Sequence, residues 1–140
     1  MKSIYMGGKI GLVGILLLLS GCGGSTYPTV EWSGTVTIGG QPIPSDAVAS
    51  IEVVSLEASA ESKATQADIV GGNYTLKDVP VGNVLVQFNI VREIPAKNPT
   101  DQMRGIRSYS NLVPGNFAGF SEKAEQDDTQ KNFDIQGGKK

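Results

Sequence analysis

Histidine is missing from this 140-residue chain, and cysteine occurs once, at Cys22. Without histidine there is no Ser-His-Asp triad, no Cys-His nucleophile pair and no imidazole-bound metal. A single cysteine excludes an internal disulfide and a thiolate zinc cluster. Aromatic residues are scarce at 6%, so each one is a candidate for the core or for a site. A basic excess is also missing, since 12 Lys and Arg stand against 14 Asp and Glu. A phosphate-backbone binder normally carries one, and no nucleic-acid partner is expected. Glu122, Glu125 and Asp127-Asp128 sit in hydrophilic stretches, the pattern of a solvated face. They lack the alternating oxygen spacing of a calcium loop. Neither an enzyme, a cofactor nor a bound metal is expected.

The one long apolar run, Ile10–Leu19, is too short for a membrane-spanning helix, which needs about 20 residues. Lys2 and Lys9 precede or flank it, and small residues follow, as in a secretory signal. The run closes on Leu19-Ser20-Gly21-Cys22. This string resembles the bacterial lipobox: an aliphatic residue, two small residues, then cysteine. The resemblance implies a diacylglyceryl group on the Cys22 sulfur and cleavage before Cys22. Small residues there let a membrane-embedded protease reach the backbone. One acyl chain holds a protein only marginally, at about 0.8 kcal/mol per buried CH₂, whereas two or three hold it stably. Cleavage would remove two lysines and no acid, leaving 10 basic against 14 acidic side chains. Gly23 rather than Asp follows the cysteine. By resemblance to enterobacterial lipoproteins, that favours the outer membrane of the cell envelope over retention in the inner one. The expected division is a signal at 1–21, a lipidated tether at 22–29, a folded domain at 30–136 and a tail at 137–140.

From Val30 onward apolar residues alternate with polar ones, which argues for half-buried strands. Val30, Trp32, Val36 and Ile38 share one face. Gly39-Gly40 and Gly71-Gly72-Asn73 are tight-turn signals. Pro42 and Pro44 demote their segment to an edge. Ala47–Leu56 and Thr65–Val70 read as strands, Val79–Gly82 as a turn, and Asn83–Val91 as the clearest strand. Phe133 and Ile135 alternate in a last short one. No stretch of ten residues keeps a helical period. The expectation is an all-β sandwich with Val36, Ile51, Val53, Tyr74, Leu76, Val84, Val86, Phe88 and Phe133 inward, and with Trp32 buried.

Two strings carry a further resemblance. Ser33-Gly34-Thr35-Val36-Thr37-Ile38-Gly39-Gly40-Gln41-Pro42-Ile43 is similar to the opening of carboxypeptidase regulatory-like domains. Gly72-Asn73-Tyr74-Thr75-Leu76 and Val79-Pro80-Val81-Gly82 are similar to their central block. Those domains are transthyretin-like β-sandwiches of about seven strands. A lipobox followed by one such domain resembles small planctomycete-type lipoproteins, whose later segments compare with Val113–Phe117 and Asn132–Ile135. The resemblance implies roles for fold-setting residues: Gly34 and Gly82 at positions needing positive φ or close approach, and Tyr74 with its ring between the sheets. Hydroxyisourate hydrolases share the transthyretin-like architecture, but they use histidines, which this chain lacks.

Arg92–Ser110 reads as a long irregular segment, and such loops are commonly functional or disordered. Arg92, Lys97, Arg104 and Arg107 face only Glu93 and Asp101 in the count. Tyr109, Phe117 and Phe120 lie close by in the sequence. The region 92–120 is therefore the expected functional surface, with Arg104, Arg107 and Tyr109 as candidate binding residues. The matching partner is an anionic envelope glycan or an acidic envelope protein.

Overall fold

The computed structural model describes residues 27–57 and 63–136. The signal segment, Cys22, most of the tether and the tail lie outside the described residues. Nine strands and one short helix follow in order. They are β1 (Thr29–Ile38), β2 (Gln41–Pro42), β3 (Ala47–Ser55), β4 (Ala64–Asp68), β5 (Asn73–Pro80), β6 (Gly82–Pro95), α1 (Pro99–Met103), β7 (Arg107–Asn111), β8 (Phe120–Ala124) and β9 (Phe133–Ile135).

Two sheets face each other in a sandwich-like arrangement. In the four-stranded sheet β1 pairs antiparallel with β2 and β5 and parallel with β9. In the five-stranded sheet β4, β3, β6 and β7 run in that order. β8 also pairs with β6, so β8 and β7 share one edge of it, opposite Gly82–Val86 and Val91–Pro95. Positive φ at both Gly39 and Gly40 makes the tight β1–β2 hairpin, a geometry that L side chains resist. Pro42 sits in a two-residue edge strand, where its missing N–H costs no ladder bond.

The core fills the space between the sheets. Trp32, Ile51, Val53, Leu76, Val84, Val86, Ile90 and Ile135 are completely buried. Eight of the nine residues expected inward are buried, and Trp32 with them. Phe88 is the exception, and is half-buried. It lies near the rim, where its ring meets Phe117 and Phe120 at 6.1 Å and Phe133 at 5.5 Å. Tyr74 keeps its ring inside and donates its hydroxyl hydrogen bond to the Lys131 carbonyl at 2.7 Å. Burial, with Asp128 and Glu122 adding to it, pushes the Tyr74 hydroxyl well above the usual phenol range.

Three expectations are corrected. The segment 92–110 is not irregular: β6 runs on to Pro95, α1 follows, and β7 returns along β6 as a hairpin. Val79 does not belong to a turn. It is fully buried at the end of β5, and only Val81 separates β5 from β6. Its inward position depends on an extra residue in β5: Val30 pairs with Val79 but Trp32 with Leu76. Asp78 stands in that bulge with φ of 58°. Finally, nine strands appear among the described residues, against about seven implied by resemblance.

Candidate functional site

The lobe joining β6 to β7 is built by local chemistry. Asn98 caps α1, its side-chain oxygen accepting from the Thr100 N–H at 2.9 Å, and Pro99 opens the helix with a preset φ. Gln102 donates from its side chain to the Ala96 carbonyl at 2.6 Å, which pins the helix over the buried Ala96. Gly105, with φ of 70°, ends the turn, and the Ile106 N–H closes onto the Asp101 carbonyl at 2.9 Å. A shallow cleft of about 290 Å³ opens between Pro95, Gln102, Gly105 and Arg107.

Register then places the expected binding residues. Arg107 and Tyr109 lie two apart on β7, opposite Pro95 and Glu93, so their side chains share the outer face of the five-stranded sheet. Tyr109 is 64% exposed, and its ring stacks on no other aromatic ring among the described residues. Arg104 stands exposed at the C-terminal end of α1, in no ion pair among the described residues. Phe117 and Phe120 are separate from Tyr109. Their rings meet each other at 5.0 Å and pack against the core.

Two of the four positive charges counted in the sequence are paired. Arg107 donates to Glu93 at 2.7 Å, and that contact raises the guanidinium pKa further. Arg92 donates to Asp46 from two nitrogens, at 3.0 and 2.9 Å. Asp46 lies 46 positions away in the chain, and only the β3–β6 register brings it close. Lys97 and Arg104 are left against Asp101, a smaller positive balance than the sequence count.

A second charged centre links β8 of the five-stranded sheet to β1 of the four-stranded one, where no site was expected. Lys131 touches Asp128 at 2.5 Å and Glu122 at 3.5 Å, and its ammonium sits 5.6 Å from the centre of the Trp32 ring. The hydrogen bond to Asp128 raises the Lys131 pKa against the opposing effect of burial. Trp32 Nε1 is buried and has no hydrogen-bond partner among the described residues. The charges are joined by a segment that also clamps β1, because the Ser33 N–H donates to the Thr129 carbonyl and the Lys131 N–H to the Ser33 carbonyl. This centre is a structural latch. Its sequence signal was a lone Lys next to Asn-Phe-Asp, too ordinary to single out.

The arrangement defines a small all-β domain of two sheets with an ordered lobe at one end. No protein-family model, curated protein or solved structure matches the chain.

Proposed function

We propose that the protein is a lipid-anchored module of the cell envelope with a non-catalytic binding or structural role. Cys22 carries the lipid, residues 1–21 are removed on export, and the outer membrane is the destination. The carrying observation is the Leu19-Ser20-Gly21-Cys22 string directly after a short apolar run. The finer fold reading, a carboxypeptidase regulatory-like sandwich of the transthyretin type, is supported by the behaviour of its signature residues. Gly34 sits at a close backbone approach, Gly82 has φ of 114°, and Tyr74 is buried between the sheets. Mass spectrometry of the membrane-extracted protein tests the anchor. An acylated Cys22 as the first residue is the expected result, and an intact residue 1 or an unmodified Cys22 rejects it.

A second reading is supported by the exposed Tyr109 beside Arg107 on an ordered strand. In it the module binds an envelope glycan through the 92–120 region, with Arg104, Arg107 and Tyr109 as contacts.

A further inference from the structure

The outer face of the five-stranded sheet carries a feature that sequence order hides. Register aligns Gln66, Glu52 and Gln87 in one row across β4, β3 and β6. The next row is Asp68, Ser50 and Asn89. Side chains in one row stand about 5 Å apart, and the two rows about 7 Å apart along the strands. Five of the six line or adjoin a shallow groove of about 350 Å³, and Asp68 extends it. Their side chains make no hydrogen bond or ion pair among the described residues. A cation directly across from a carboxylate on a neighbouring strand would stabilise such a face. Neither row contains Lys or Arg, so Glu52 and Asp68 keep their acceptor capacity free. Further along the same face, Tyr109 offers an exposed ring opposite Glu93. Asn89 and Glu93 are four residues apart on β6, about 13 Å at strand rise.

We infer that this face, from Gln66 to Tyr109, is a binding platform for a neutral polysaccharide. Four features select that class. Free amides, a hydroxyl and two carboxylates form a flat array of donors and acceptors, which suits vicinal hydroxyl groups. The two unneutralised carboxylates repel an anionic chain or a phosphate. The two rows contain no apolar side chain; the next row toward Tyr109, Val48, Val91 and Asn111, adds a single apolar strip between polar rows, narrower than the apolar centre that a protein partner desolvates. Tyr109 supplies the flat apolar ring on which a sugar ring can lie. The inference rests on the glycan-binding reading above but changes its chemistry. Arg92 and Arg107 are engaged by Asp46 and Glu93, and the unpaired groups nearby are amides and acids.

The test is binding of the full-length protein, in detergent micelles, to a printed array of neutral and anionic glycans. Gln87→Ala/Asn89→Ala, Tyr109→Ala and Arg104→Ala/Arg107→Ala are run beside it, with melting temperatures to verify folding. The expected result is binding to at least one neutral glycan. It should be unaffected by 0.5 M salt, about a Debye length of 4 Å. It should weaken at least tenfold in the first two variants and remain in the third. Binding to no neutral glycan overturns the inference, as does neutral binding that survives Gln87→Ala/Asn89→Ala. Anionic glycans captured through Arg104 and Arg107 alone would overturn it while leaving the broader glycan reading standing.

Discussion

Gly34 faces the backbone carbonyl of Lys131 so closely that a methyl group on its Cα would lie 1.8 Å from that oxygen. The obstacle is main chain, held by the Tyr74 hydroxyl and the Ser33 bonds, so it cannot swing aside. Gly34→Ala should therefore force β1 and the 129–132 segment apart. Overpacking a tight site costs about 1–3 kcal/mol, and a backbone obstacle puts this one at the upper end. Urea denaturation should show an unfolding free energy lower by that amount, read as a lower midpoint at unchanged slope. A midpoint within error of the parent would mean that the close approach does not persist in solution.

Asp78 occupies the left-handed region, which costs an ordinary L residue about 1–2 kcal/mol. Aspartate tolerates it better than most, and glycine best. Asp78→Gly should raise stability by up to about 1 kcal/mol, and Asp78→Val should lower it by about 1–2 kcal/mol. Asp78 is exposed, so packing does not obscure the comparison. Thermal melts of the pair settle the sign. If valine were the more stable, the bulge would not be formed as described.

Asp134 binds the β1–β2 turn to β9. One carboxylate oxygen accepts from the Gly40 N–H at 2.7 Å and the Thr37 hydroxyl at 2.8 Å, and the other from Gln136 at 3.1 Å. The Gly40 bond above all, then Gln136 and Thr37, lowers the Asp134 pKa below the ordinary aspartate value. A lowered folded-state pKa means that the unfolded chain binds a proton first as pH falls. The stabilising effect is therefore complete above about pH 4 and is lost as pH drops through the folded-state pKa. Carbon-detected NMR titration should give a midpoint below the ordinary aspartate value. Asp134→Asn should flatten the acid limb of stability against pH, leaving the other carboxylates to set it. A normal midpoint would contradict the turn geometry.

Much of this fold was legible in the sequence because its signals were local. The two glycine turns, the edge prolines and the alternation in β1, β3 and β6 follow from period two and from φ. Val79 was not legible, because a one-residue bulge at Asp78 shifts the inward parity of β5. The lobe was misread for a related reason. A five-residue helix leaves no periodic trace, and β7, Arg-Ser-Tyr-Ser-Asn, contains no apolar alternation, so only its pairing with β6 makes it a strand. At the candidate site, Arg107 and Tyr109 could be named from residue type. The pairing of charges around them could not, since Arg107 meets Glu93 only through the β6–β7 register and Arg92 meets Asp46 only through that of β3 and β6. The polar rows were invisible for the same reason: six residues from three strands become neighbours only through register.

The two ends of the sandwich are mechanically distinct. The chain enters where the Tyr27 hydroxyl and the Pro28 carbonyl both bind Val81, at 2.8 and 3.0 Å, and β6 begins there. It leaves the far end of β6 at the α1 lobe, about 40 Å away at strand rise. A pull on the chain before Tyr27, directed along β1, would load the pairing of β1 with β5. The β1–β5 ladder lies across that direction, so its bonds bear the load in parallel, as a shear joint, and cannot open one by one as in a peeled hairpin.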